Sequence, residues 1–251
     1  MLLDEERIDD LLWRNLKIIQ NPHWFCFSLD AVLLAGFATL RSDDLVVDLG
    51  TGTGVIPLLL SARARNKKTN IIGLEIKPEV ADMAQRSVAL NKLSDQIFIK
   101  VGDIKTANTI LGKGKFDLVV SNPPYALVGS GKISPSSVKA AARTEIFCTL
   151  EDVVREASLV LNSEGRFAVV HRPQRLVDIF YLMRNYRLEP KRVRFVHPVP
   201  EKEPNLILVE GIKNGKKDVQ ILPPLYVYEK TGIHSKEMKA IFAGKFLSEE
   251  W

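Results

Sequence analysis

The stretch "VVDLGTGTGV", residues 46–55, decides how the chain is read. Val46, Val47 and Leu49 make a short apolar run of the kind that fills a buried strand, and three glycines follow, Gly50, Gly52 and Gly54. Glycines at a strand end let the backbone take positive φ and approach a ligand closely. The dinucleotide pattern GxGxxG fits poorly, because its third glycine falls on Val55 counted from Gly50 and on Pro57 counted from Gly52. The pattern present is D-x-G-x-G-x-G, opened by Asp48; a purely structural tight turn is the alternative reading.

Outward from this loop the chain alternates. Strand-like runs at 45–50, 70–75, 97–103 and 116–122 are separated by helical segments such as "VIPLLLSARAR" and "PEVADMAQRSVALNKL". Such alternation predicts a parallel sheet with helices on both faces. Upstream, "DAVLLAGFATL" reads as a helix capped by Ser28 or Asp30, and residues 4–20 as an amphipathic helix running into an extended "LKIIQ". Downstream, "LEDVVREASLVLNSEG" reads as a helix ending at Gly165, followed by the strand "RFAVVH" and the helix "RLVDIFYLMRNY". Only "PEKEP" separates "KRVRFVHPV" from "NLILVEGIK", too little for a helical crossover, so these two form an antiparallel pair. The expected fold is α/β, a Rossmann-like doubly wound, mostly parallel sheet with a C-terminal antiparallel pair. One domain is expected over 1–251, with an N-terminal extension (1–44), a core (45–217) and a tail (218–251).

Of 251 residues 46% are apolar, enough for a sizeable core, while the longest apolar run, "VIPLLLSA", is too short to cross a bilayer. "MLLDEERIDD" lacks a basic-then-apolar secretory pattern, and Cys26 and Cys148 form no CxxC, so a cytoplasmic protein with reduced thiols is expected. His23, His171, His197 and His234 have no metal-ligand spacing, so no metal is expected. The formal charge is +5, yet Arg172 to Lys217 alone holds eleven Lys or Arg against five Asp or Glu, a net of +6. A basic face suits a polyanion such as RNA, with a solvated surface as the alternative. Arg172, Arg175, Arg184, Arg187, Lys191, Arg192 and Arg194 are the candidate phosphate contacts.

Two acids extend the glycine loop into a pocket. Glu75 ends the next strand at the distance where an acid reaches ribose hydroxyls, and Asp103 ends the third strand in "VGDI". Either alone could be a helix cap. Together, Asp48, Gly50, Thr51, Gly52, Gly54, Glu75 and Asp103 describe a nucleoside pocket, with the neighbouring Ile76 and Ile104 as further candidate cofactor contacts. After the fourth strand comes "SNPPY", residues 121–125. Prolines fix φ and donate no backbone bond, so the corner holds an amide, free carbonyls and a phenol in a set arrangement. For a planar amine entering there, the Asn122 side-chain oxygen and the Pro123 carbonyl each accept one N–H, which favours a pyramidal nitrogen with a free lone pair. Pro124 and Tyr125 line the base, Tyr125 by stacking; the alternative for Tyr125 is a core aromatic closing the turn. "GSGK" (129–132) lacks the residues of a phosphate loop, and "GSGKISPSSVKAAART" reads instead as a loop closing over the site, with Lys139 and Arg143 reaching phosphates or simply solvated.

"DLGTGTG", "LEIKPE", "GDI" and "NPPY", in this order, resemble the class I S-adenosylmethionine-dependent methyltransferases, and "NPPY" resembles the signature of their amino-group members. The resemblance implies S-adenosyl-L-methionine as cofactor, held by the glycine loop, with Glu75 on its ribose, Asp103 on its adenine, and Asn122, Pro123 and Tyr125 catalytic. "FSLDAVLLAGFA", "RNLKIIQNP" and "PPLYVYEKTGIHSKEMKAIF" resemble the bacterial tRNA adenine N6-methyltransferases that act on adenine 37 of valine tRNA. That implies a tRNA substrate and places Asp30 beside the methionyl end of the donor, or else as a helix cap. No membrane and no obligate protein partner are expected. One alternative is a glutamine N5-methyltransferase acting on a release factor, whose usual helical domain does not fit the 44 residues before Leu45. Others are an rRNA exocyclic-amine methyltransferase and a non-catalytic RNA-binding module that keeps the pocket.

Overall fold

The computed structural model describes residues 2–11, 13–24, 26–64, 69–125, 148–230 and 232–245. Its strands are β1 (Arg7–Asp10), β2 (Lys17–Gln20), β3 (Leu45–Leu49), β4 (Asn70–Glu75), β5 (Ile97–Val101), β6 (Phe116–Ser121), β7 (Leu161–His171), β8 (Leu188–His197), β9 (Leu206–Lys213), β10 (Gln220–Ile221), β11 (Leu225–Tyr226), β12 (Tyr228–Lys230) and β13 (Ile233–His234). Its helices are α1 (Leu29–Phe37), α2 (Val55–Arg63), α3 (Pro78–Leu90), α4 (Ala107–Leu111), α5 (Leu150–Val160), α6 (Leu176–Asn185) and α7 (Lys236–Phe242).

Nine described strands form one sheet, ordered β10-β8-β9-β7-β6-β3-β4-β5, with β11 also beside β8. β7, β6, β3, β4 and β5 run parallel, and β9 runs antiparallel to both β7 and β8. This is the expected doubly wound sheet with its antiparallel C-terminal pair. The β3 run looks continuous in sequence because it is buried on both faces: Val46 joins a cluster with Leu33 of α1 and Leu59 of α2, while Val47 and Leu49 join Val153 of α5 and Ile179 of α6. β3 lies between β6 and β4, so successive crossovers leave it in opposite directions and open a crevice beyond the carboxyl ends of the strands.

Three local expectations are corrected. Residues 7–10 are not helical but pair antiparallel with residues 17–20. Arg14 and Asn15 have positive φ (48° and 58°), which turns the chain. Trp13 is buried, and its indole N–H donates to the Ile241 carbonyl at 2.6 Å. Gly165 does not end a helix: α5 stops at Val160, and Gly165 follows Glu164 (φ 63°) in an irregular stretch of β7, where the register with β6 shifts. Ser28 precedes α1 without a side-chain capping bond, and its Oγ is buried with no partner.

Cys26 and Cys148 are half-buried free thiols, and burial pushes Cys148 up to about 12. Among the described residues no helix is long and apolar enough to cross a membrane, and no group of three or more His, Cys, Asp or Glu could hold a metal ion.

Candidate active site

The glycine loop is pinned to the end of β4. The amides of Gly50 and Thr51 both donate to the Leu74 carbonyl, at 2.9 and 3.0 Å. Gly52 (φ +55°) donates its amide to Glu75 Oε2 at 3.0 Å. Gly54 has φ +84°, and a Cβ there would stand 3.2 Å from the Ala84 methyl on α3. Only glycine meets both demands, so the loop can turn sharply into α2.

Under the loop lies Asp48, fully buried, with neither carboxylate oxygen hydrogen-bonded. Burial pushes its pKa up to about 7; the nearby Thr51 hydroxyl works against this without an aligned bond, and the Glu75 charge adds to it. Thr51 Oγ1 is also buried without a partner. Buried polar atoms left unmatched cost about 1–3 kcal/mol each, so the cluster is built for a donor-rich or cationic ligand. Glu75 accepts one amide on each oxygen, from Gly52 and from Lys77, both at 3.0 Å. Each oxygen keeps a lone pair for a ligand hydroxyl. Half-buried Ile76 follows Glu75, and Ile104 Cδ1 lies 3.4 Å from where a Gly50 Cβ would be, forming an apolar wall. Asp103 caps the short turn after β5, accepting the Lys105 amide at 2.9 Å, so its cap reading is realised and its other oxygen is spare.

β6 ends beside this crevice. The Ser121 hydroxyl donates to the Leu49 carbonyl at 2.8 Å, fixing the start of the Asn122-Pro123-Pro124-Tyr125 corner. The Tyr125 hydroxyl lies 2.7 Å from Asp30 Oδ2 and 2.7 Å from Asn122 Oδ1. A phenol has one proton and can donate it to one oxygen only. The carboxylate is the stronger acceptor, so the second contact is satisfied when Asn122 turns its NH2 to the phenol oxygen and its own oxygen outward. Burial, with the Asp30 charge, pushes the phenol well above its ordinary range, so it stays protonated. The Arg172 guanidinium lies over the Tyr125 ring at 4.8 Å from the centroid, and the His171 ring is 5.1 Å away, tilted by 56°. Tyr125 therefore does not offer two free faces.

Asp30 thus sits in the first turn of α1 as a hydrogen-bond partner of Tyr125. Nothing in the sequence pairs residues 30 and 125, which lie 95 positions apart.

Of the basic residues, Arg172 and Arg175 lie at the crevice end of β7; Arg172 donates to the Asn205 carbonyl and Arg175 pairs with Asp178. Arg192 and Arg194 are corrected as phosphate contacts. Arg192 spends its guanidinium on Glu210, Thr39 and the Phe37 carbonyl, and Arg194, 7% exposed, pairs with Glu237 and the Pro223 carbonyl. Lys139, Arg143 and the expected closing loop lie outside the described residues. A cavity lined by Thr39, Arg41, Arg166, Arg192 and Glu210 lies away from the crevice, and its Arg166 pairs with Asp44.

Comparison with known proteins first places the class. The family model described as "Methyltransferase domain" matches residues 40–191, more than half of the chain. A predicted O-methyltransferase from Agrobacterium tumefaciens superposes with TM-score 0.68 at 23% identity, covering 86% of this chain and 97% of that one. A geranyl diphosphate C-methyltransferase from Streptomyces coelicolor does so with TM-score 0.53 at 14% identity, covering 74% and 76%. These likenesses establish the methyltransferase fold. Sequence relatives narrow it further. Proteins named tRNA1(Val) (adenine(37)-N6)-methyltransferase match from Porphyromonas gingivalis at 37% identity over 65% of this chain, and from Parabacteroides distasonis at 30% over 72% of this chain and 74% of that relative. The chain belongs to this tRNA1(Val) (adenine(37)-N6)-methyltransferase family. The match spans 64% of the length of the Porphyromonas relative.

Proposed function

We propose that the protein methylates N6 of an adenine in tRNA, at adenine 37 of a valine tRNA, with S-adenosylmethionine as donor. The observation that carries this reading is the Asp30–Tyr125–Asn122 chain, which ties the Asn122 amide at the end of β6, beside the glycine loop; with its NH2 turned to the phenol, that amide offers its oxygen to an incoming amine.

The pocket fits the donor. The unpartnered Asp48 carboxylate suits an α-ammonium, Glu75 has lone pairs for two ribose hydroxyls, and Ile76 and Ile104 suit the faces of a purine. When bound, S-adenosylmethionine supplies a methyl group on a positively charged sulfonium. The protein's part is positioning and preorganised acceptors. Asn122 Oδ1 and the Pro123 carbonyl accept the two protons of the target amine, drawing its lone pair out of conjugation with the ring. Pro123 is buried, which holds its carbonyl in place. Asn122 does this better than aspartate would, because a carboxylate costs more to desolvate and brings no NH2 for the phenol. Arg172 and Arg175 stand where the polyanion would approach.

The test is methyl transfer by the purified protein to unmodified valine tRNA, followed by nucleoside analysis of the product and of tRNA from a strain lacking the protein. N6-methyladenosine in the first and its loss in the second are expected. Methylguanosine, or methylation of a release factor in place of tRNA, would refute the reading.

A further inference from the structure

His171 is the last residue of β7, at the crevice edge next to the Tyr125 corner, and only 2% of it is exposed. Its Nδ1 accepts the Arg172 amide at 2.8 Å. That bond fixes the tautomer. A ring nitrogen that accepts carries no proton, so in the neutral imidazole the proton sits on Nε2. With Nδ1 engaged by the backbone, Nε2 is the ring nitrogen left for another partner. No described residue supplies an acceptor for it. Burial, then the charges of Arg175 and Arg172, push His171 down to about 4 against the opposing pull of Asp178, so the ring is neutral under working conditions.

This free N–H stands beside the Tyr125 corner that would receive the base, with the two rings 5.1 Å apart. The 6-amino group of adenine is flanked by two ring acceptors, N1 and N7. The 2-amino group of guanine has a donor, N1–H, on one side.

We infer that the His171 Nε2–H donates to a ring nitrogen beside the target amine, so that His171 is the residue that reads the base as adenine. It rests on the reading of the protein as a tRNA adenine methyltransferase and adds a specificity-determining contact to it. Arg172, whose guanidinium lies on the Tyr125 ring and whose amide binds Nδ1, couples this contact to the stacking residue.

The test is an atomic-substitution cycle. Full-length valine tRNA is ligated with adenosine, 1-deazaadenosine or 7-deazaadenosine at the target position, and kcat/KM is measured for the wild type, His171→Leu and His171→Gln. One of the two deaza substrates is expected to lose about tenfold with the wild type, the effect of one hydrogen bond. His171→Leu should lose a similar factor on ordinary adenosine and nothing further on that deaza substrate. His171→Gln keeps an N–H donor and should retain part of the discrimination. If the wild type tolerates both deaza substrates, or if the penalty is unchanged in His171→Leu, the inference is overturned while the tRNA reading stands. Should His171→Leu fail to fold, the wild-type and His171→Gln series decides the matter alone. A wild type that methylates no adenine in tRNA overturns both.

Discussion

Replacing Tyr125 by Phe removes one oxygen and keeps the ring. The phenol joins Asp30 to Asn122 through two 2.7 Å contacts, one of them charge-assisted. A hydrogen bond to a charged group contributes about 1.5–3 kcal/mol. Asp30 is only half-buried, so water recovers part of that for the carboxylate. Asn122 is left with no partner to hold its amide, so its oxygen is no longer preorganised toward the incoming amine. A loss of about 1.4–2.8 kcal/mol in transition-state stabilisation corresponds to about 10–100-fold in kcat. Steady-state methyl transfer on tRNA should show that drop, while KM for tRNA and the calorimetric Kd for S-adenosylmethionine stay within about twofold, because the stacking ring and the donor pocket are intact. Asp30→Ala should also lower kcat, since the phenol would then donate to Asn122 Oδ1 and occupy the lone pair that catalysis needs. The double variant should be no worse than Tyr125→Phe, as expected of residues acting in one chain. A Tyr125→Phe kcat within twofold of wild type, or an Asp30→Ala variant that changes only donor affinity, would refute the coupling.

Other outcomes follow from the same geometry. Asp48 titrates near 7 in the free protein, raised from an ordinary value of 3.8. A cationic ligand needs its ionised form, so S-adenosylmethionine affinity should fall as pH drops below 7, approaching tenfold per unit, and Asp48→Asn should abolish this slope in calorimetric titrations. The sign for folding is opposite: a raised folded pKa means this carboxyl favours the free folded state at low pH and loses that contribution as pH rises toward 7. Gly54→Ala forces a left-handed alanine against Ala84; a cost of about 1–2 kcal/mol for the backbone should lower Tm by about 2–8 °C in calorimetry. Arg194→Ala should lower Tm by unpinning α7 at Glu237 without changing the salt dependence of tRNA binding. Replacing both Arg172 and Arg175 by Gln should flatten that salt slope, and an unchanged slope would remove them from the RNA face.

The sequence by itself determined what local chemistry dictates. A strand buried on both faces is apolar apart from a position such as Asp48, a loop that combines positive φ with close approach favours glycine, and a corner that gives up amide donors favours proline, so β3, Gly50 to Gly54 and the Asn122-Pro123-Pro124-Tyr125 corner were legible before any fold. So was the antiparallel pair of β8 and β9, because five residues cannot carry a crossover. The N-terminal segment was not, since Leu11 and Trp13 look helical until Trp13 is seen held by Ile241, more than two hundred residues away. Nor were the fates of the arginines: Arg192 and Arg194 have the same local look as Arg172, and only the neighbouring Glu210 and Glu237 decide that two are consumed inside the fold. The links from Asp30 to Tyr125 and from His171 to Arg172 and Tyr125 belong to tertiary structure as well. A hydrogen bond depends on where two atoms meet in space, and sequence fixes that only for residues within a turn of each other.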